Sequence, residues 1–410
     1  MKRIVVPIVL ASAWTISARA QEMTWLPRPS FRAGEVLRVD PRVKLQGQFR
    51  WFPSELAPRD GTFAMGMRRL SVEGTLFNHV DFEIERDFRD GGVWTDVYVW
   101  FRRFRAAQIQ AGKFKVPFSL DELTGATNLD FPNRSMIGRD LAPGRAAGAV
   151  LSGRVVEKSA ALSYEAGMFR HDGERARFLD NPGGGATFAG RIRAQPLRAL
   201  KSQRAPRNLA VGLSTTLSDV PEGPGPNSLR ARTIAGAPIL PRVRVHGRRT
   251  RLGADASWEP GPFSVRGEVL QVWDERRRLG PAGSDLPRLS VGGWYVSSTW
   301  VVTGERKAGG VEARGPFLNG GFGALELAAR HERLRFGDDD PAESANAGPE
   351  SAGPAALRSG ATTLGLNWYL NRWSKIQFNG VRESFGGAAR SPVTGRSSFW
   401  SAVCRLQFVV

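Results

Sequence analysis

Val80-Asp81-Phe82-Glu83-Ile84-Glu85-Arg86-Asp87-Phe88 is the stretch on which the fold turns. In extended backbone, successive side chains point to opposite faces. Val80, Phe82, Ile84 and Phe88 therefore share one face, interrupted by Arg86, while Asp81, Glu83, Glu85 and Asp87 share the other. The same alternation sets Phe263, Val265 and Val269 against Ser264, Arg266 and Glu268. It sets Leu325, Leu327 and Ala329 against Glu326, Ala328 and Arg330, and Leu252, Ala254, Ala256 and Trp258 against Arg251, Asp255 and Ser257. A period of two is the mark of half-buried strands, not helices.

Working outward, such segments recur at 43–51, 64–77, 80–89, 93–102, 106–114, 147–156, 159–169 and 187–195, then at 208–217, 248–258, 263–273, 292–303, 322–336, 361–371, 374–383 and 399–409. A seventeenth, 229–239, is crowded by Pro238 and Pro241 and is set aside. Turn-rich stretches separate them at Asn181–Gly185, Pro221–Pro226 and Asp338–Pro354. No composition shift marks a domain boundary, so the chain reads as about sixteen strands of one closed sheet.

Composition removes most other classes. The 47 Gly and 26 Pro in 410 residues exclude a helix bundle or coiled coil. The lone Cys404 excludes a disulfide framework or a Cys-based zinc site. His79, His171, His246 and His331 are too far apart in sequence to form a metal-binding pair. Lys2 and Arg3, the apolar run Ile4–Trp14 and Ala18-Arg19-Ala20 have the layout of a secretory signal peptide cleaved after Ala20. Its removal takes the formal charge from +19 to 19 − 3 = +16. The expected organisation is a signal peptide at 1–20, an N-terminal periplasmic segment at 21–42 and a barrel at 43–410.

An exported alternating sheet is either a sandwich, with its apolar face inward, or an outer-membrane barrel, with that face in lipid and the charged face on a wet lumen. Twelve Trp and 23 Phe favour the barrel, because many lie at strand ends where interfacial girdles sit: Trp51, Trp94, Trp100, Trp258, Trp273, Trp294, Trp368 and Trp373. The last segment also alternates to the end of the chain, with Trp400, Ala402, Cys404, Leu406, Phe408 and Val410 on one face, which makes Cys404 a small lipid-facing residue. Closure removes the edge strands that lipid cannot accommodate.

Arg68-Arg69-Leu-Ser-Val-Glu-Gly, Trp94-Thr-Asp-Val-Tyr-Val, Gly112-Lys-Phe-Lys-Val-Pro-Phe-Ser-Leu-Asp-Glu-Leu123, Asn133-Arg-Ser and Ala142-Pro-Gly-Arg145 follow in an order that resembles the phosphate-selective porins O and P. The likeness resumes at Gly261-Pro-Phe-Ser-Val-Arg-Gly-Glu268, Gly293-Trp-Tyr-Val, Thr303-Gly-Glu305, Gly323–Arg330 and Gly365–Asn371, so that it covers most of 43–410. It implies a sixteen-stranded all-β transmembrane barrel, trimeric, with its third loop, here about Lys115 to Arg145, folded into the lumen. It also implies anion-binding positions at Arg68, Arg69, Asp96, Lys115, Ser119 and Arg134, with Arg139 and Arg145 as further basic residues of the loop. Alternation lets only one of Arg68 and Arg69 point fully inward. The family's barrels usually end on an aromatic residue, whereas this sequence ends Phe408-Val-Val410.

Physical chemistry supports a basic constriction, since a phosphate entering a narrow pore sheds water and needs fixed donors in its place. Arg supplies a planar fork and Lys a compact charge. Against strict phosphate selectivity, the loop sets Lys115, Arg134, Arg139 and Arg145 against Asp121, Glu122, Asp130 and Asp140. The lumen faces likewise set Arg191, Arg193, Arg251, Arg266 and Arg330 against Glu83, Glu85, Asp255, Glu268 and Glu332. The expectation is passive diffusion of anions, phosphate or polyphosphate among them, through an outer-membrane channel with no cofactor and no chemistry. The alternative within that class is a general non-specific porin.

Two rivals come from other classes. An exported polyanion-binding protein would use the blocks Arg248-Arg249-Thr-Arg251 and Arg276-Arg277-Arg278. Both abut turns and lack interleaved aromatics for stacking, so they read as solvated loops and no nucleic-acid partner is expected. A barrel enzyme would use His171-Asp172 or His331-Glu332, but neither accompanies a GxSxG elbow. The Gly183–Gly185 run lacks the Lys-Ser/Thr ending of a phosphate loop.

Overall fold

The computed structural model describes residues 21–24, 29–56, 62–89, 91–156, 161–173, 185–198, 208–221, 232–233, 236, 239, 245–307, 309–337, 357–387 and 391–410. The signal segment and most of the three turn-rich stretches lie outside them.

Two short strands, β1 (Gln21–Thr24) and β2 (Ser30–Ala33), pair as a hairpin, and β2 continues onto β3. The wall is then built from β3 (Leu37–Trp51), β4 (Phe63–Leu76), β5 (Val80–Asp87), β6 (Val93–Phe101), β7 (Gln108–Lys115), β8 (Arg145–Val156), β9 (Leu162–Phe169) and β10 (Thr187–Ala194). It continues through β11 (Ala210–Val220), β12 (Gly247–Trp258), β13 (Phe263–Arg276), β14 (Leu286–Val301), β15 (Ala324–Phe336), β16 (Leu357–Tyr369), β17 (Ser374–Gly387) and β18 (Ser398–Val409). Each strand pairs antiparallel with the next, and β18 pairs back onto β3 from Ala402↔Trp51 to Val409↔Lys44. At this seam Val43 and Val410 exchange backbone hydrogen bonds of 3.2 and 3.0 Å. The sixteen wall strands match the sixteen expected segments. The first begins at Leu37, ahead of residue 43, because Leu37 to Arg42 also pair with β4.

The alternation is realised as sidedness. Along β11, Val211, Leu213 and Leu217 are exposed, while Ser214, Thr216 and Ser218 are buried. Along β5 and at the residue after it, Ile84 and Phe88 are exposed and Glu85 and Asp87 buried. The wall is therefore apolar outside and polar inside, the reverse of a soluble protein. No helix among the described residues is long and apolar enough to cross a membrane; the strands do so.

Some sequence readings change. Arg249 and Arg251 are not in a solvated loop: they lie on the inner face of β12, with Arg249 paired to Asp274 and both arginines to Asp172. Arg276 is likewise buried, while Arg277 is exposed and pairs with Glu275. Trp100 shares the inner face of Tyr98, since it stands opposite Asp81 as Tyr98 stands opposite Glu83, so it is no part of an outer girdle. His331 faces outward and Glu332 inward, so the two cannot act as a catalytic pair.

The end of the barrel that carries the chain termini has short turns at 77–79, 102–107, 259–262 and 370–373. The opposite end carries most of the longer connections, 302–323 at the terminal end being an exception, and its 116–144 connection turns into the barrel. Its two short helices, α1 (Leu120–Leu123) and α2 (Met136–Asp140), are buried inside the wall. Phe118, Met136, Ile137 and Leu141 pack against Leu270, Val291, Leu334 and Phe336, which fills the β13–β15 side of the lumen with an apolar core.

Lipid exposure predicts that Leu252→Arg, midway along β12 and 47% exposed, destabilises the barrel by about 2–4 kcal/mol. Reversible urea unfolding of the barrel in lipid bilayers checks this.

Candidate functional site

Where a loop is buried inside a barrel its backbone has lost water, so each buried N–H and C=O needs a protein partner. The wall supplies them according to sign. Where the loop presents carbonyls, the wall presents donors. Gln46 and Gln407 reach Ala126 O and Thr127 O, Lys375 reaches Leu129 O at 2.9 Å, and Asn367 and Gln377 reach Asp130 O at 2.9 and 3.1 Å. Arg330 donates to Asn133 O at 3.0 Å and lies over the Phe131 ring, while Arg251 donates to Leu141 O at 2.8 Å. Where the loop presents N–H groups, the wall presents carboxylates. Glu268 accepts from Leu120 N and Asp121 N at 2.9 and 3.1 Å, and Glu332 accepts from Met136 N.

The loop's own charges are committed in the same way. Arg134 donates to Asp121 O and Thr124 O and pairs with Glu122, closing the loop on itself. Arg139 pairs with Asp140 at 2.7 Å and donates to Arg232 O and Thr233 O. Asp121 accepts from Ser135 N and Oγ. Ser119, buried and at a positive φ of 70°, caps α1 through Glu122 N. Asp130 pairs with Lys307 at 2.6 Å; this lysine comes from the 302–323 connection at the terminal end and also binds Glu326 at 2.5 Å. Burial opposes ionisation of Asp130, but the Lys307 ammonium and Arg266 guanidinium outweigh it and hold its carboxyl below the usual range.

The loop thus lies against β12–β18 and leaves space beside β3–β8. A cavity of about 1410 Å³ occupies that space, from the terminal end (Arg38, Trp373, Val410) up to Asp96, Lys115 and Arg145. Its described lining has twelve Lys and Arg side chains against nine carboxylates, so it is mixed but cation-rich.

The expected site residues divide accordingly. Arg69 faces this cavity, with Glu85 at 3.0 Å and Asp87 at 2.9 Å. Arg68 points outward with Leu70 and Val72 and does not line the pore, because Met67, Arg69 and Ser71 take the inner face. Arg145 and Asp96 line the cavity as a bidentate pair, the shortest contact being 2.6 Å. Lys115 lines it too, but its ammonium donates to Glu122 O at 2.7 Å and Thr124 O at 3.0 Å at the end of α1. Ser119, Arg134 and Arg139 are not in the cavity lining; they hold the loop's shape. The sequence reading missed Lys44, which lines the cavity and pairs with Glu85 at 2.6 Å. It also missed Lys307 as the loop's clamp. Lys44 was legible as an inward position two residues before Gln46. Nothing local marks Lys307, whose partner is 177 residues away.

Solved outer-membrane channels share this fold at low identity. The trimer form of OmpT from Vibrio cholerae is 10% identical with a TM-score of 0.56, covering 92% of this chain and 100% of that one. DcaP from Acinetobacter baumannii is 8% identical with a TM-score of 0.55, covering 93% and 99%. OprB from Pseudomonas putida is 10% identical with a TM-score of 0.55, covering 92% and 94%. No curated protein matches the chain in sequence. A closed sixteen-stranded barrel with an inward loop defines an outer-membrane porin. The chain belongs to the phosphate-selective porin O and P family, whose model matches residues 43–409.

Because the Asp130 carboxyl is held below its usual range, its contribution to the loop clamp is complete above the unfolded value of ~3.9. It is lost as pH falls through the lower folded value. Single-channel recordings should be quiet at neutral pH and become noisy below about pH 4. Lys307→Met, which removes the cation shared by two buried carboxylates, should be noisy already at pH 7.

Proposed function

We propose that this porin passes small anions by passive diffusion along the β3–β8 side of its lumen, past Lys44, Arg69 and Arg145. The observation that carries this reading is the cation surplus in the lining of the cavity that the loop leaves open. The charges that cancel in sequence anchor the loop through both signs, Asp121, Glu122, Glu268 and Glu332 among the acids and Arg134, Arg139, Arg251 and Arg330 among the bases, so neither set decides the sign of the opening. A basic wall concentrates anions at the constriction, an effect that weakens as salt screens it.

Phosphate passes as one anion among several. Each cavity cation named here already has a carboxylate: Lys44 has Glu85, Arg69 has Glu85 and Asp87, and Arg145 has Asp96. An incoming phosphate competes with these partners, which favours transient contacts over tight binding. The same pairing favours the second reading, a general porin with weak anion preference.

Cleavage after Ala20 releases a mature chain whose β1–β2 hairpin lies at the periplasmic end, and three barrels associate, as OmpT does in its trimer form. Solutes pass unchanged, with no enzymatic step and no cofactor.

Reversal potentials in planar bilayers test the reading. Arg69→Ala and Arg145→Ala each lower the anion-to-cation permeability ratio, whereas Arg68→Ala leaves it unchanged. Equal effects at Arg68 and Arg69 would remove the lumen site. Phosphate titrated against a chloride current separates the two readings: partial block at millimolar phosphate indicates a phosphate-competent constriction, and no block a general porin.

A further inference from the structure

The outer faces of β15, β16 and β17 should be uniformly apolar where they meet lipid, yet at the long-loop end they carry Arg333, Arg335, Arg358 and Arg382. The pairing registers bring these together. Arg335 stands directly opposite Arg358, Arg333 is two residues along the same face from Arg335, and Arg382 lies opposite Thr362 on the next strand. Two like charges in direct cross-strand register repel. An arginine on the lipid face is tolerated only toward the interface.

Glu326, Glu332 and Glu383, the carboxylates of these strands, are all buried on the inner face. Among the described residues, no carboxylate pairs with Arg333, Arg358 or Arg382, and Arg382 donates to Ser398 Oγ at 3.5 Å. The patch also sits at a defined height. Trp294 is opposite Arg333 and Trp400 opposite Arg382, both Trp side chains being exposed. Interfacial Trp marks the headgroup level of a bilayer, so the guanidinium groups lie at and just beyond it.

The geometry points to a binding site for the phosphorylated headgroup of an outer-leaflet lipid, held by Arg333, Arg358 and Arg382. Short turns mark the periplasmic end of such a barrel and long loops the outer end, which places the patch in the outer leaflet. Guanidinium forks match phosphate oxygens in pairs. A second copy of this chain is a poorer occupant, because the outer faces of β14 to β18 offer no carboxylate in return.

The test is titration of the full-length porin in neutral detergent with bis-phosphorylated lipid A, read by native mass spectrometry, with inorganic phosphate as competitor. The wild type binds, and equimolar inorganic phosphate does not displace the lipid. Changing Arg333, Arg358 and Arg382 together to Ala weakens binding on the order of a hundred-fold, while conductance and ion selectivity stay as in the wild type. The corresponding triple Lys variant retains binding within about ten-fold. If the Ala triple does not fold, Arg333→Gln alone carries the test, with about a five-fold loss.

Unchanged affinity in the variants overturns the proposal. So does displacement by equimolar phosphate, which makes the patch a general phosphate site. A changed oligomeric state with lipid binding intact overturns it in favour of a contact between copies. Lipid binding that appears only after Asp338, Asp339 and Asp340 are changed to Asn assigns the patch to the chain's own acidic stretch.

Discussion

Everything inside this barrel depends on satisfying the backbone of one irregular loop. Residues 116–144 run through the lumen with little regular structure, and their peptide groups would be costly without partners. The wall answers group by group, with Gln, Asn, Lys and Arg side chains for carbonyls and Glu268 and Glu332 for amides. The loop's position then fixes both where the lumen is filled and where it stays open. Lys44, Arg69 and Arg145 face the opening paired with wall carboxylates, whereas Lys115, Lys307 and Lys375 border it while holding the loop.

A second anchor acts nearer the long-loop end. Asp172, in the connection after β9, is held by Arg249 at 2.6 Å and by Arg251, which also reaches Leu141 O. Burial opposes ionisation of Asp172, but Arg251 and Arg249 outweigh it and keep its carboxyl far below the usual range. Arg251 thereby ties two inward connections to one strand. A buried pair of this kind is weak evidence of net stabilisation but strong evidence of a fixed geometry, since removing one partner strands the other.

The fold was legible in the sequence because alternation is a local property. Each strand announces its two faces within ten residues, and the sixteen expected segments need only shifts at their ends. The loop was legible as the longest gap between strands. What alternation could not give was the use of each inward charge. Arg134 and Arg145 look alike in sequence, but one staples the loop and the other lines the opening. Deciding between them needs contacts such as Arg134 to Thr124 O and Arg145 to Asp96. Arg68 and Arg69 show the reverse: neighbours that sequence left tied are separated by the inner-face positions of Met67 and Ser71. Arg249 was misjudged because an arginine-rich run beside a turn usually meets water, whereas here the lumen supplies Asp172 and Asp274.

The apolar core packed beside α2 makes the sixteen strands unequal in what they can tolerate. Most inner positions on β12 to β17 answer to the loop or to that core, so a change there alters shape before it alters permeation. Most inner positions on β3 to β6 meet open lumen, Gln46, which reaches Ala126 O, being an exception. Retuning the channel for a different solute therefore calls for changes in that arc, with the opposite arc kept as a scaffold. Relatives that differ in cargo should differ first at positions such as 42, 44, 69 and 96.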